Sequence, residues 1–441
     1  MLFIIILVIF YDKIFENSYL ALNLNNSFKN KKLDLNNKIK VAFYSRSIKN
    51  GGIERIAATL LNYLNNCNIF NLYLFTKNDK ENNEFLIPEK IKRITIKTNE
   101  KLVTVLKEEK IDVLIYNFFN REGIKILNNF KNVKTIFYIH QSIFLWIYMR
   151  CYEIFQTYKL YQSSKYVISL IPFENDYIFR NWGINSILMD NFMTYDYYSI
   201  TPSDLSSKTI LMIGRGIDKL KRFDLGIKTM KYIIKEIPES TMVVISSFTE
   251  NNPFFYLIKE LNIEKNIKLV GYVSKPEIYF KNSSLHIFPS ISESFGLVVA
   301  ETKIYGIPNI ILGINYISTA KGGTIIIYDD NPVTIAKEAI KILKNDKYRK
   351  KLGKEARNSM KQFNNNLLIQ RWIKLIISVY NGDNYYNKLR QKDKKISKKI
   401  ALNIIETQIK LLKTRIKHFK NINAQNLLNF SFMMNLKNNL K

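Results

Sequence analysis

The sequence predicts an α/β protein made of two Rossmann-like halves, each a parallel sheet covered on both faces, followed by a basic helical extension. Three observations carry this expectation. From Lys38 onward, short apolar runs alternate with stretches of helical period, as in strands that run parallel and are joined by crossover helices. Residues 191–207 break the alternation: they have little periodicity, contain Pro202 and are rich in Tyr, Ser and Asp, and the pattern restarts at Thr209. After Tyr385 the chain turns strongly basic, while Ala401, Ile405, Ile409, Leu412, Ile416 and Phe419 recur at helical spacing. A length of 441 residues accommodates two domains of ordinary size. The expected divisions are an apolar N-terminal segment with an Asn-rich linker (1–37), a first domain (38–190), a hinge (191–207), a second domain (208–363), a crossing helix (364–384) and the basic tail (385–441).

Taken in order, residues 2–10 are wholly apolar, too few to span a bilayer unaided. They lack a preceding basic residue and a small-residue cleavage site, so a signal peptide is not indicated. If the segment inserts, the lysines that follow (Lys13, Lys29, Lys31, Lys32) keep the main body in the cytosol; otherwise it is an ordinary apolar terminus. A first strand over 39–44 leads through Gly51-Gly52-Ile53-Glu54-Arg55 into a helix ending near Leu64. The glycine pair lets backbone amides approach a ligand, or makes a plain tight turn; it is not the G-x-G-x-x-G dinucleotide fingerprint. Further strands are expected at 70–75, 91–96, 113–116, 135–140 and 166–170. His140 closes one of them at the carboxyl end, where such sheets bind ligands, and fits either a site histidine or a structural one.

The second half opens with a strand over 209–213, then Gly214-Arg215 and Lys219-Leu220-Lys221-Arg222 ahead of a helix to about Ile237. Arg215 offers a fixed guanidinium fork and Lys221 a flexible ammonium, a pair suited to a diphosphate or simply to solvent. Strands at 242–246 and 267–270 follow. Then comes the segment that organises the chain, F-P-S-I-S-E-S-F-G-L-V-V-A-E-T-K-I-Y-G-I-P over 288–308. It reads as the end of a buried strand (285–288), a polar loop holding Glu293, and a helix from Gly296 to Tyr305 carrying Glu301. The unpaired amides around Ser294, Phe295, Gly296 and Leu297 at that helix start favour an anion. Two carboxylates eight residues apart reach about 12 Å along a helix, which spaces them to hold two different sets of hydroxyls. After Pro308 the chain reads as loop, Gly313-Ile314-Asn315-Tyr316 and then Lys321-Gly322-Gly323-Thr324, before helical periods resume from Val333 to about Tyr380.

P-S-x-S-E-S-F-G-x-x-x-x-E followed by G-x-P resembles the E-x7-E segment of retaining GT-B glycosyltransferases, glycosyltransferase family 4 above all. G-G-x-E-R is similar to that family's first loop, and Gly214-Arg215 with Lys221 to its phosphate loop, except that Arg222 stands where the family has glycine. The resemblance, over about 38–380, implies a GT-B fold and transfer of a sugar from a UDP- or GDP-sugar to a glycan or glycolipid with retention. It implies no metal and no cofactor. Glu293, Arg215, Lys221 and His140 would then act in catalysis, with Gly51, Gly52, Ser294, Phe295, Gly296 and Leu297 on the donor and Glu301 on its ribose.

A net charge of +30 points to anionic partners, though A/T-rich codons for Lys, Asn and Ile account for part of it. No P-loop, zinc pattern or RNA-recognition signature is present, so nucleic acid is not an expected partner. Cys67 and Cys151 cannot build a disulfide framework and suit a cytosol-facing protein. The basic amphipathic tail has two fates open, an anionic bilayer surface or the second domain, of which docking on the domain is preferred.

Overall fold

The computed structural model describes residues 38–49, 51–118, 133–138, 140–142, 144–145, 162, 166–184, 186–215, 219–248, 252–314, 316–383 and 397–418. The apolar segment and Asn-rich linker (1–37), Cys151, residues 216–218 and the tail beyond 418 lie outside them.

The first half contains β1 (Ile39–Ser45), α1 (Gly52–Asn65), β2 (Phe70–Thr76), β3 (Lys92–Thr95), α2 (Asn99–Glu108), β4 (Val113–Tyr116), β5 (Lys134–Tyr138), β6 (Tyr166–Ser169), α3 (Pro172–Trp182) and β7 (Ser186–Leu188). Its seven strands are all parallel in the order β3-β2-β1-β4-β5-β6-β7. The second half contains β8 (Thr209–Ile213), α4 (Phe223–Glu236), β9 (Thr241–Ile245), α5 (Pro253–Glu260), β10 (Ile267–Val270), α6 (Glu277–Lys281), β11 (Leu285–Phe288), α7 (Leu297–Ile304), β12 (Asn309–Leu312), β13 (Thr324–Ile327), α8 (Pro332–Lys344) and α9 (Asp346–Ser359). Its six strands are parallel in the order β10-β9-β8-β11-β12-β13. Two further helices follow, α10 (Asn365–Asn381) and α11 (Lys398–His418).

In each sheet the strand order reverses beside the first strand, between β1 and β4 and again between β8 and β11. Side chains leaving the carboxyl ends of those strands enter a crevice that no crossover helix fills, which is where open parallel sheets bind ligands. β1 and β4 are buried almost throughout because both their faces are covered. α1 supplies one cover through Ile56, Ala57, Leu60, Leu61 and Leu64. α10 supplies another: Trp372, Ile373 and Ile376 are fully buried in the same cluster as Val41, Phe43 and Ile115 of the first sheet. The helix that follows the second sheet therefore packs on the first.

The structure adds three strands that the sequence reading did not assign. β7 is only three residues long, and β12 and β13 are four-residue apolar runs hemmed in by glycines (Gly306, Gly313, Gly323). Runs that short have no measurable period. The strand expected over 135–140 ends at Tyr138, so His140 lies just beyond it. Residues 191–207 form no helix or strand but are tied down: Met193 exchanges two hydrogen bonds with Asn365, at 2.7 and 2.9 Å, and Arg357 donates to the carbonyls of Tyr197 and Ile200.

The tail helix α11 docks. Ala401, Ile404, Ile405, Ile409 and Leu412 are buried in one cluster with Val299, Ile311, Ile314 and Ile317 of the second half and with Phe137, Phe144 and Phe173 of the first. The apolar face that might have met a bilayer is thus used inside the molecule. Among the described residues no helix is long and apolar enough to cross a membrane.

Candidate active site

A cleft of about 230 Å³ opens at the carboxyl ends of β1, β4 and β5 and is closed on the far side by Arg215. It brings together Gly51, Gly52 and His140 from the first half and Arg215 from the second, with Arg46 and Glu54 between them. Tyr116, Phe118, Phe137 and Tyr138 form an aromatic wall.

Gly51 caps α1, and the Glu54 carboxylate curls back over it so closely that a Cβ on Gly51 would fall 1.8 Å from Glu54 Oε2. Burial raises the Glu54 carboxyl, while its own helix amide, Arg215 and Arg46 pull the other way. A carboxylate here takes the place at a helix start, beside two guanidinium groups, that a phosphate oxygen would favour. Gly52 faces the other half: a Cβ there would lie 3.2 Å from Leu297 Cδ1, so the N-termini of α1 and α7 approach each other across the cleft. Gly296 caps α7 with φ +76, a conformation open to glycine at no steric cost. The free amides consequently begin at Leu297, one residue later than the sequence suggests. The Phe295 side chain is buried against Phe363 and Met193, which leaves its backbone as the part the expected site would use. Ser294 is partly buried in the turn between Glu293 and α7.

Lys221 and Glu293 form an ion pair, each side chain only about one-seventh exposed (16% and 14%). The Lys221 ammonium also lies 5.4 Å from the centroid of the Phe288 ring. A Cβ on Gly214 would be 4.0 Å from Lys221 Cδ, so the lysine stem passes directly beside the residue preceding Arg215. The stem of Lys221 thus runs beside the backbone that leads to Arg215.

Glu301 is nearly fully buried. Its Oε1 accepts from Arg55 of α1 at 2.7 Å and from the Thr194 hydroxyl at 2.7 Å. The carboxylate expected to face a ribose is therefore tethered to the opposite half and to the connecting segment. His140 lines the cleft half-buried, and its desolvation there pushes the imidazole down to about 3 and keeps it neutral. Its Nε2 lies 2.7 Å from Asn117 Oδ1, an acceptor, so Nε2 carries the proton and Nδ1 is left to accept. The other strand histidine, His286, bonds Asn309 inside the second sheet and is core.

Sequence reasoning did not single out Arg55, Thr194, Asn117 or Tyr316. Arg55 stood in view beside the glycine pair, and Asn117 directly follows an apolar strand at the ligand-binding edge. Nothing local distinguishes Thr194 or Tyr316, whose importance comes from what folds against them.

Residues 199–359 match the family model for glycosyl transferases group 1. The chain is 23% identical over 287 residues, 61% of its length and 79% of the relative's, to an uncharacterized glycosyltransferase of Haemophilus influenzae. It is 29% identical over 154 residues to the 2-deoxystreptamine N-acetyl-D-glucosaminyltransferase of Niallia circulans, a match spanning 32% of this chain and 38% of that enzyme. Among solved structures it superposes on sucrose-phosphate synthase from Thermosynechococcus elongatus with a TM-score of 0.65 at 16% identity, covering 78% of this chain and 100% of that one. It also superposes on Anabaena HepE, solved with UDP and glucose, with a TM-score of 0.62 at 15% identity over 77% of this chain and 99% of that one. The fold is GT-B, and a glycosyltransferase of that fold is the class of protein these likenesses support.

Proposed function

We propose that the protein is a retaining hexosyltransferase resembling glycosyltransferase family 4, which moves a sugar from a UDP-sugar to a glycan or glycolipid acceptor. The observation that carries the reading is the meeting of two helix N-termini, at Gly52 and Leu297, beside Arg215 and Lys221. Such a cluster of donors suits a group with two or three negative charges. UDP is preferred over GDP because HepE, which shares the fold, was solved with UDP.

In this reading the diphosphate lies between the helix starts. As the bond from the sugar's anomeric carbon to the phosphate oxygen breaks, charge grows on the leaving phosphate, and Arg215 and Lys221 offset it. The acceptor hydroxyl forms the new bond on the same face, and its proton passes to the departing phosphate oxygen. These fixed cations provide the counter-charge, so turnover is expected to survive EDTA. Glu293 serves the transferred sugar, Glu301 the ribose, and His140 lies on the sugar side of the cleft.

The test separates the two glutamates. Glu301→Gln keeps shape but loses a charge-assisted bond, and should weaken UDP and the donor alike by about ten- to a hundredfold. Glu293→Gln should leave UDP affinity nearly unchanged and lower transfer. Calorimetry with UDP, alongside turnover of UDP-glucose and UDP-N-acetylglucosamine, reads both. Equal loss of UDP affinity in the two variants would refute the division of labour, and binding of GDP in place of UDP would reassign the donor.

A further inference from the structure

We propose that the C-terminal helix α11 is a positioning element for Glu293, acting through Gly313 and Tyr316. The inference rests on the reading of Glu293 as a residue that touches the transferred sugar.

Most of the buried face of α11 is apolar, which docking alone explains. Of its two buried polar residues among those described, Thr407 and Gln408, Gln408 is the more deeply placed. It is 1% exposed, and its Nε2 donates to the carbonyl of Gly313, in the turn that leaves β12. Burying a side-chain amide costs free energy unless it is bonded, so its place there is set by that carbonyl and not by packing. Three residues later Leu411 covers the same spot: a Cβ on Gly313 would fall 2.0 Å from Leu411 Cδ1. Gly313 itself has φ +64, so the turn needs a glycine for its conformation as well as for this contact.

Beyond this turn the line continues to the site. Tyr316 is buried, and its ring lies 4.6 Å, centroid to centroid, from that of Phe144 in the first half. Its hydroxyl accepts from the backbone amide of Glu293 at 3.3 Å. Ile314 and Ile317, on either side of Tyr316, are buried in the cluster that receives Ile405 and Ile409 of α11. Tyr316, Ile314 and the apolar face of α11 thus share one buried cluster, and the Tyr316 hydroxyl ties that cluster to the peptide of Glu293. The Glu293 carboxylate, paired with Lys221, sits at the end of that line. A brace on the peptide fixes where the carboxylate can reach, and small errors of placement lower the rate of a step whose geometry is demanding.

The experiment uses the full chain and two near-isosteric variants, Gln408→Met and Tyr316→Phe, singly and together. Each should lower kcat at saturating UDP-sugar by about three- to tenfold while UDP affinity stays within about twofold. Because both act on one line of contacts, the double variant should lose no more than the worse single one. Activity is expressed per folded molecule, with folding followed by near-UV circular dichroism. If Gln408→Met lowers the melting temperature yet keeps kcat, α11 only covers apolar surface and the inference is overturned. Losses that multiply in the double variant would overturn it too. If the unaltered protein binds no nucleotide and turns over no donor, the reading of the cleft fails first, and this inference goes with it.

Discussion

Arg222 stands in a left-handed conformation, φ 48 and ψ 44, as the cap of α4. A side chain costs about 1–2 kcal/mol there relative to glycine. The family resemblance expected glycine at this position, and the backbone now gives the reason for that preference. Two ion pairs offset the strain: the guanidinium bonds Asp330 at 2.7 Å and Asp224 at 3.2 Å, and the Asp330 side chain is only 6% exposed. Arg222→Gly would relieve the backbone but remove both ion pairs, one of them to a nearly buried carboxylate, the larger effect. We expect a net destabilisation of about 1–2 kcal/mol in urea unfolding, with donor affinity unchanged because Lys221 keeps its place. A more stable glycine variant would show that the ion pairs contribute nothing.

Among the elements, α7 shows most clearly what a short segment can and cannot reveal. Its Glu301, the Glu293 of the loop before it, its glycine cap and its Gly306-Ile307-Pro308 stop were legible because each is a residue type with a fixed conformational or chemical role. The neighbours that hold it were not. Lys303 is fully buried on α7 and donates to the carbonyls of Thr319 and Lys321, while burial pushes its ammonium down to about 7. In the sequence it looks like any surface lysine. β12 and β13 hid for a related reason: four apolar residues between glycines satisfy strand, helix and loop equally. Gly296 is the sensitive point of the element. A Cβ there would meet Ile317 Cδ1 at 2.8 Å and Thr319 Oγ1 at 3.0 Å, with φ already positive. Gly296→Ala should therefore destabilise by about 1–3 kcal/mol and weaken UDP binding as the amides of Leu297 and Val298 swing away. Wild-type affinity in that variant, measured by calorimetry, would remove the α7 terminus from the donor site.

At the scale of the molecule, the two halves are not independent. One apolar cluster contains Phe137 of the first sheet, Ile311 of the second and Ile405 of the tail, and Arg55 binds Glu301 across the cleft. Such sharing predicts a single cooperative unfolding transition. Its dependence on acidity follows from the desolvated histidines. His140 in the first half and His286 in the second are pushed by desolvation down to about 3 and about 4 from an ordinary 6.5. Below about pH 6.5 the unfolded chain takes up protons that the folded protein refuses, so their contribution is complete above that value and is lost as the pH falls toward about 4. Scanning calorimetry should show one peak moving to lower temperature over that window. Two separated peaks would contradict the shared core, and a peak that stays still on acidification would contradict the neutral histidines.

The seating of α11 on Gly313 also bears on synthesis. A chain is made from its N-terminus, and its domains fold as they emerge. Both sheets, the paired helix starts and the two cations exist before Gln408 is translated. A product terminated after α10 would keep the residues proposed to hold UDP yet lack the brace proposed to aim Glu293. Truncated messages should thus yield a protein that captures nucleotide but transfers sugar about three- to tenfold more slowly, full turnover coming only once α11 is made and seated.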